Sequence, residues 1–411
     1  MSDRDSTPMQ RREFLQSGAA ATAAVTAASL APVQVQAQTQ ASPPKNSSAG
    51  EKVLPSRMFG KTGVEVTILN TGTLRVGAFM DRLLRLAFSQ GVRFFDTAKV
   101  YGTEPGFKKW FSEMPGVRKQ IFLATKEPVR AIGDVVKNID KRLEALGTDY
   151  IDLLYYHGLG RGQVDWAKSQ EMKKEIEEIK KTGKVRFVGF TTHDGGAMAD
   201  QLQAAAKGGF VDAIMLSYAP WLAKDSALNK AMDVCFEKKI GMVAMKLFAG
   251  KGNLKQVVEK AFVLKERGLN PHQALLQAAW SDERLACVCT AMTNSDQVRQ
   301  NIEAARTFQP IKQSQILELR DAVLAAGPMM CPTCDGSCGR AGGTKARLGD
   351  LTRFLTYHEH HGARVMAREE YAALTEEERD WHDADLEAAR AACQCHLDFA
   401  KLLPMVDRFL A

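Results

Sequence analysis

Residues 121–157 read IFLATKEPVRAIGDVVKNIDKRLEALGTDYIDLLYYH. Both ends of this stretch, Ile121–Lys126 and Ile151–His157, are short runs rich in apolar, β-branched and aromatic residues, a composition typical of buried strands. Between them, Ile132–Leu146 repeats apolar residues at helical spacing and is followed by Gly147, a common C-cap residue. The stretch therefore predicts a strand, a helix and a second strand.

The same alternation extends in both directions along the chain. Strand-like runs recur roughly 30 residues apart, the spacing expected for a strand, a helix and two loops. The other predicted strands are Thr67–Thr73, Arg93–Ala98, Val185–Thr191, Ala213–Tyr218, Gly241–Lys246 and Cys287–Met292. Eight strands within residues 53–327 favour a closed (β/α)8 TIM barrel, typically of about 250 residues, over an open doubly wound sheet. The first predicted strand is not followed by Gly-x-Gly-x-x-Gly, which also argues against an open dinucleotide-binding fold.

The N-terminal residues resemble an export signal rather than part of the fold. QRREFL at 10–15 is similar to the twin-arginine motif, a weakly apolar stretch follows over 18–33, and VQA at 35–37 resembles a cleavage site. The apolar stretch is shorter than the roughly 20 residues of a membrane span. We therefore expect 1–37 to be a signal peptide recognised by the twin-arginine translocase, 38–52 to be a flexible linker and the protein to be periplasmic or otherwise exported.

The composition is that of a globular protein. Of the 411 residues, 45% are hydrophobic and 25% are charged, which are ordinary values that allow a sizeable core. The net charge of +7 is spread along the chain without any nucleic-acid-binding motif. We therefore expect no nucleic-acid partner.

Four polar side chains follow or close three successive predicted strands. Asp96 and Tyr101 follow the second strand, Lys126 closes the third and His157 closes the fourth. Because the C-terminal ends of barrel strands carry the catalytic groups, we expect these side chains to meet at one mouth of the barrel. Carbonyl reduction needs a proton donor, and a tyrosine with an ordinary pKa of about 10 is a weak acid at neutral pH. We expect the Lys126 ammonium to lower the pKa of Tyr101, Asp96 to keep Lys126 charged and His157 to orient the carbonyl oxygen.

The segments around these residues resemble the aldo-keto reductase family. DTAKVYG at 96–102 is similar to the family's motif around its catalytic Asp and Tyr, and ATK at 124–126 and LLYYH at 153–157 are similar to its Lys and His segments. The resemblance covers about residues 53–310. It implies a nicotinamide-dependent oxidoreductase that interconverts a small carbonyl compound and an alcohol. In that reaction Tyr101 is the general acid, with Lys126, Asp96 and His157 in the supporting roles given above.

The resemblance also implies a set of residues that hold the cofactor, NADP or NAD. These are Thr191, Thr192, Met245, Lys246, Asn294, Gln297 and Asn301. The two threonines match the segment that binds the nicotinamide carboxamide, the Met-Lys pair replaces a stacking Tyr, and the last three match the adenosine-phosphate segment. The basic residues that commonly bind the 2′-phosphate are replaced here, with Arg299 the nearest cation, so NADP and NAD both stay open.

Residues 328–411 are predicted to form a small, mainly helical domain that contains five cysteines. Helices are expected over Thr352–Tyr371 and Glu376–Ala392. A Met-Lys pair on the seventh strand is similar to an iron–sulfur-tailed branch of the family, and this tail resembles that branch's ferredoxin-like extension. The resemblance implies one 4Fe-4S cluster on Cys331, Cys334, Cys338 and Cys395, with Cys393 as the alternative fourth ligand.

Two other interpretations of the tail cysteines stay open. An oxidising compartment favours disulfide bonds. Zinc is the second alternative, with ligands from the cysteines and from His396 or the group His358, His360 and His361.

Two functions follow from the sequence. The first is an exported nicotinamide-dependent oxidoreductase that interconverts a carbonyl and an alcohol, with a tail cluster as a candidate electron relay to a redox partner. The second is a non-catalytic exported barrel that serves as a cofactor-binding or electron-transfer subunit.

Overall fold

The computed structural model of the protein describes residues 54–74, 76, 80–129, 131–247, 254–326, 331, 336–359, 363–393 and 395–411, without the side chains of 254–256. The predicted signal peptide and linker, 1–37 and 38–52, lie outside the described residues. The boundaries of these two segments stay predictions, and so do the limits of the barrel, 53–327, and of the tail, 328–411.

Eight parallel strands close into a barrel, which confirms the (β/α)8 prediction. A two-stranded antiparallel hairpin precedes them. The hairpin strands are β1 (Ser56–Met58) and β2 (Glu65–Thr67), and the barrel strands are β3 (Leu69–Gly72), β4 (Phe94–Asp96), β5 (Phe122–Pro128), β6 (Ile151–His157), β7 (Val185–Thr192), β8 (Ala213–Ser217), β9 (Gly241–Met245) and β10 (Leu285–Ala291).

Helices follow the strands around the barrel and continue beyond its last strand. Among the described residues up to 326, these are α1 (Met80–Ser89), α2 (Glu104–Glu113), α3 (Asp134–Leu146), α4 (Gln170–Lys181), α5 (Met198–Gly208), α6 (Ala227–Glu237), α7 (Leu254–Lys260), α8 (Phe262–Arg267), α9 (Pro271–Trp280), α10 (Ser295–Arg306) and α11 (Gln313–Ala325). The tail carries α12 (Ser337–Ala341), α13 (Leu348–Glu359), α14 (Arg364–Ala372), α15 (Glu376–Arg379), α16 (Leu386–Ala392) and α17 (Phe399–Leu410). Across the described residues, no helix is both long and apolar enough to span a membrane.

The hairpin packs into the N-terminal end of the barrel. Phe59 follows β1 and belongs to the barrel's inner apolar cluster, where its ring meets Phe94 and Phe122 edge-on. Gly241, the first residue of β9, leaves room for this ring, because a Cβ there would lie 2.7 Å from it. The hairpin therefore fills the end of the barrel remote from the C-terminal strand ends.

The tail is helical, as predicted, but the prediction of two long helices in it is wrong. Thr352–Tyr371 is divided between α13, which ends at Glu359, and α14, which begins at Arg364. Glu376–Ala392 is divided between α15 and α16, because Asp385 caps the start of a new helix with its side chain. The tail helices share a buried apolar cluster of their own.

Candidate active site

Three neighbouring strands bring the predicted catalytic side chains together. Asp96 is the last residue of β4, Lys126 lies in β5 and His157 is the last residue of β6. Strand pairing sets their heights, since Asp96 lies opposite Ala124 and Lys126 opposite Tyr155. Tyr101 ends a short 3-10 turn after β4, which Gly102 closes in the left-handed conformation.

Asp96 and Lys126 form a buried ion pair. The ammonium donates to Asp96 Oδ1 and also to the carbonyl oxygen of Thr97, at 2.9 Å. Burial alone would lower the pKa of Lys126, but the adjacent carboxylate raises it above its ordinary value. Burial raises the pKa of Asp96, and the ammonium opposes that rise. The raised pKa of Lys126 makes the ammonium its favoured form beside the Asp96 carboxyl group.

Tyr101 lies close to both this pair and His157. The Lys126 ammonium is 5.0 Å from the centre of the Tyr101 ring, and the His157 ring meets that ring edge-on at 5.7 Å. Burial raises the pKa of Tyr101 to about 12, although the Lys126 charge acts to lower it. Lys126 therefore acts on Tyr101 in the expected direction, but the pKa of Tyr101 does not fall below its ordinary value, because desolvation is the larger effect.

His157 is held as a neutral imidazole. Burial, with help from the charges of Lys126 and Lys246, lowers its pKa to about 3. At neutral pH one ring nitrogen therefore carries a hydrogen and the other is a hydrogen-bond acceptor. A neutral ring beside Tyr101 is suited to donate a hydrogen bond to a carbonyl oxygen without charging it.

A cavity of about 360 Å³ opens beside these groups. Six of the residues predicted for catalysis or cofactor binding line it, namely Asp96, Tyr101, Met245, Lys246, Gln297 and Asn301. The cavity thus reaches from Asp96 of the ion pair to Gln297 and Asn301 of α10.

Three predicted cofactor residues do not line this cavity. Thr191 accepts a hydrogen bond from the backbone of Gly158 at 2.8 Å, and Thr192 donates to the side-chain oxygen of Gln201 at 2.5 Å. Asn294 caps α10 by accepting two of its backbone N–H groups. These polar side chains hold the protein's own backbone and side chains in place.

Comparison with known proteins bears on this arrangement. Residues 78–323 match the model of the Aldo/keto reductase family. The chain belongs to that family. L-galactose dehydrogenase from Arabidopsis thaliana is 26% identical over 291 residues, which cover 63% of this chain and 90% of that protein. The protein is therefore an oxidoreductase of the aldo/keto reductase family.

Solved structures of the family share the barrel. A thermostable aldo-keto reductase in complex with the inhibitor epalrestat superposes with a TM-score of 0.53 at 20% identity, covering 66% of this chain and 100% of that one. The holo form of an aldo-keto reductase from Bacillus halodurans gives 0.52 at 21% identity, with coverages of 66% and 96%. These likenesses concern the fold.

The sequence did not indicate that the tail reaches the reductase site. Tyr357 in α13 lines the cavity, and its hydroxyl accepts a hydrogen bond of 2.6 Å from Lys246. His272, at the start of α9, and Cys289 in β10 line it as well. A local pattern carries no signal for Tyr357, because its place in the cavity depends on how α13 packs against the barrel.

The structure gathers the tail cysteines only in part. Cys338, Cys393 and Cys395 are buried and Cys331 is half-buried, all within or against the tail's apolar cluster. Cys334 lies outside the described residues. Among the described residues, no three His, Cys, Asp or Glu side chains are grouped as metal ligands.

The histidines that were alternative zinc ligands are also partly accounted for. His358 contacts the carboxylate of Glu359 at 2.7 Å and stacks on Phe409, so it packs within the tail. His360 and His361 lie outside the described residues. The described part of the tail therefore does not by itself form the predicted metal site.

Proposed function

We propose that this reductase interconverts a small carbonyl compound and an alcohol with a nicotinamide cofactor. The contact of Tyr101 with both the Asp96–Lys126 pair and His157, beside a cavity, is the observation that carries the proposal. A barrel without catalytic activity would have no use for a buried ion pair next to a tyrosine, and burying such a pair costs free energy. The arrangement therefore favours an enzyme over a non-catalytic subunit.

The bound cofactor would supply a hydride to the carbonyl carbon. Tyr101 gives its hydroxyl proton to the carbonyl oxygen, so that the carbonyl becomes an alcohol and Tyr101 becomes a phenolate. The Lys126 ammonium, 5.0 Å from the ring, stabilises that phenolate as it forms. His157 donates a hydrogen bond to the same oxygen and fixes its direction. In the alcohol-oxidising direction, the phenolate takes the proton back.

The residues that line the cavity are compatible with a bound nicotinamide cofactor. Gln297, Gln300 and Asn301 of α10 place amide groups in the lining, and Met245 lies in the lining where the nicotinamide is expected. Arg299 pairs with the exposed Asp296 at 3.0 Å and does not line this cavity. The assay below therefore compares NADPH with NADH.

The test is cofactor oxidation followed by absorbance with NADPH and with NADH, against a panel of aldehydes and ketones. Reduction by wild type, and its loss in Tyr101→Phe, would support the proposal. Wild type that binds neither cofactor and reduces none of the panel would refute it.

We further propose export by the twin-arginine route, on the basis of the paired arginines at 11–12. Fractionation of cells that express the whole chain tests this. Arg11→Lys/Arg12→Lys should keep the protein in the cytoplasm, whereas equal export of that variant and wild type would refute the route.

The tail carries a separate proposal, that its cysteines bind one iron–sulfur cluster and pass electrons to a redox partner. The support is that Cys338, Cys393 and Cys395 lie within one apolar cluster of the tail and that Cys331 packs against it. Among the described residues, however, no three His, Cys, Asp or Glu side chains are grouped as metal ligands. Iron and acid-labile sulfide analysis of anaerobically purified protein tests it, and iron-free protein would refute it.

A further inference from the structure

A lysine of the barrel and a tyrosine of the tail meet at the reductase cavity. Lys246 directly follows β9, and its ammonium donates a hydrogen bond of 2.6 Å to the hydroxyl of Tyr357. The same ammonium lies 5.3 Å from the centre of the Tyr357 ring. Both residues line the cavity that Tyr101 and Asp96 line. Two further polar groups therefore share the space in which a substrate would meet the general acid.

The backbone at Lys246 is strained. Its φ is +61°, a left-handed conformation that residues with a Cβ adopt at a cost. Such conformations persist where the surrounding structure fixes them, and they are common at functional sites. The backbone conformation at the end of β9 thus fixes the position of this lysine.

Tyr357 is held in place from its own helix. Arg353, one turn earlier in α13, is buried, pairs with Asp350 and donates to the carbonyl oxygen of His193 at 3.3 Å. His193 directly follows β7. Since α13 is fixed to a strand end beside His157, the Tyr357 hydroxyl is in place before any ligand arrives, which lowers the entropic cost of binding.

The local field favours an anion. Burial is the main cause of the low pKa of His157 and of His193, and the Lys246 charge contributes to both. The field of the Lys246 ammonium therefore extends to both histidines. A phenol whose oxygen accepts from an ammonium is also polarised, which makes it a stronger hydrogen-bond donor.

We propose that Lys246 and Tyr357 form a carboxylate-binding subsite, and that the substrates of this reductase are oxo acids, short carbonyl compounds that also carry a carboxylate. The inference rests on the proposed carbonyl reduction and names its substrate class. In this proposal Lys246 binds the substrate, whereas the sequence predicted that it binds the cofactor.

The kinetic test compares ω-oxo acids of two to five carbons with alkanals of the same length. The readout is the ratio of kcat/KM for each acid to that of its alkanal, with the KM of the cofactor measured alongside. We expect wild type to favour an acid and Lys246→Gln to reduce the ratio by about tenfold to a hundredfold, the effect typical of a hydrogen bond to a charged group. Tyr357→Phe should reduce it by about threefold to tenfold.

Tyr371→Phe is the matched control. Tyr371 is a tail tyrosine with the same 7% exposure as Tyr357, but it does not line the cavity. Its variant should keep the wild-type ratio within twofold. Equal losses for acids and alkanals in Lys246→Gln, or a raised cofactor KM with an unchanged ratio, would overturn the subsite.

A binding measurement separates this inference from the proposed function. Calorimetry with 4-hydroxybutanoate and with butane-1,4-diol needs no turnover. If wild type prefers the carboxylate and Lys246→Gln loses that preference, the subsite stands even if no carbonyl is reduced. If wild type shows no preference, the subsite is refuted, whatever the reductase assays give.

Discussion

The Lys126 ammonium lies 5.0 Å from the centre of the Tyr101 ring, yet the pKa of Tyr101 is raised to about 12. Burial disfavours the phenolate by more than the ammonium favours it. Tyr101 therefore keeps its proton at every physiological pH. It can give that proton up only when the charge that develops on the substrate makes the transfer favourable.

Tyr101→Phe should reduce the carbonyl reduction rate by about a hundredfold to ten-thousandfold, the usual worth of a general acid. The ring that packs against His157 is retained, so the melting temperature should change little. Steady-state kinetics together with a thermal melt measure both effects. A variant that keeps wild-type kcat would show that another group supplies the proton.

Lys126→Met should destabilise the protein by about 3–5 kcal/mol, since it leaves the buried carboxylate of Asp96 without its counter-charge. The double variant Asp96→Asn/Lys126→Met should recover much of that loss, because the uncompensated charge is gone. Urea unfolding gives both free energies. If the single and double variants are equally destabilised, packing rather than charge accounts for the loss.

The barrel could be predicted because its pattern is local. Each strand and helix has its own composition and stop signal, and the bounds of β6 agree with the prediction at both ends. The hairpin was missed because Ser56–Met58 is too short for a visible alternation, and the predicted run Thr67–Thr73 joined the end of β2 to β3.

The site was predictable only as far as strand ends determine it. The meeting of Asp96, Tyr101, Lys126 and His157 follows from strand order and length. The direction in which the pKa of Tyr101 shifts does not follow from strand order, because it depends on how deeply the hydroxyl is buried. The sequence does not show how much solvent reaches a side chain. The contact between Lys246 and Tyr357 was out of reach for a similar reason, since it depends on the packing of α13 on the barrel.

The pKa of His157 gives a prediction for stability against pH. Its value is about 3 in the folded protein, against an ordinary 6.5, so the unfolded chain binds more protons between those values. The free energy of unfolding should therefore fall as the pH drops from about 6.5 towards 3, by at most about 1.4 kcal/mol per pH unit for this site. His193 acts in the same direction. His157→Gln should have a shallower slope in urea unfolding across that window, and identical slopes would contradict the assignment.

Asp350→Asn should loosen the tail over the reductase site. Its carboxylate lies between Arg347 and Arg353, and Arg347 also contacts Asp194 of the barrel at 3.1 Å. Because Arg353 is 1% exposed, an amide at position 350 leaves a buried guanidinium without its charged partner, a costly state. Hydrogen exchange in 348–359 should become faster, and the selectivity that Tyr357 confers should fall with it.

Glu377→Gln is the control, since it breaks only the exposed pair with Lys345 and should leave exchange in that helix unchanged. Wild-type exchange in Asp350→Asn would mean that apolar packing alone holds α13 in place.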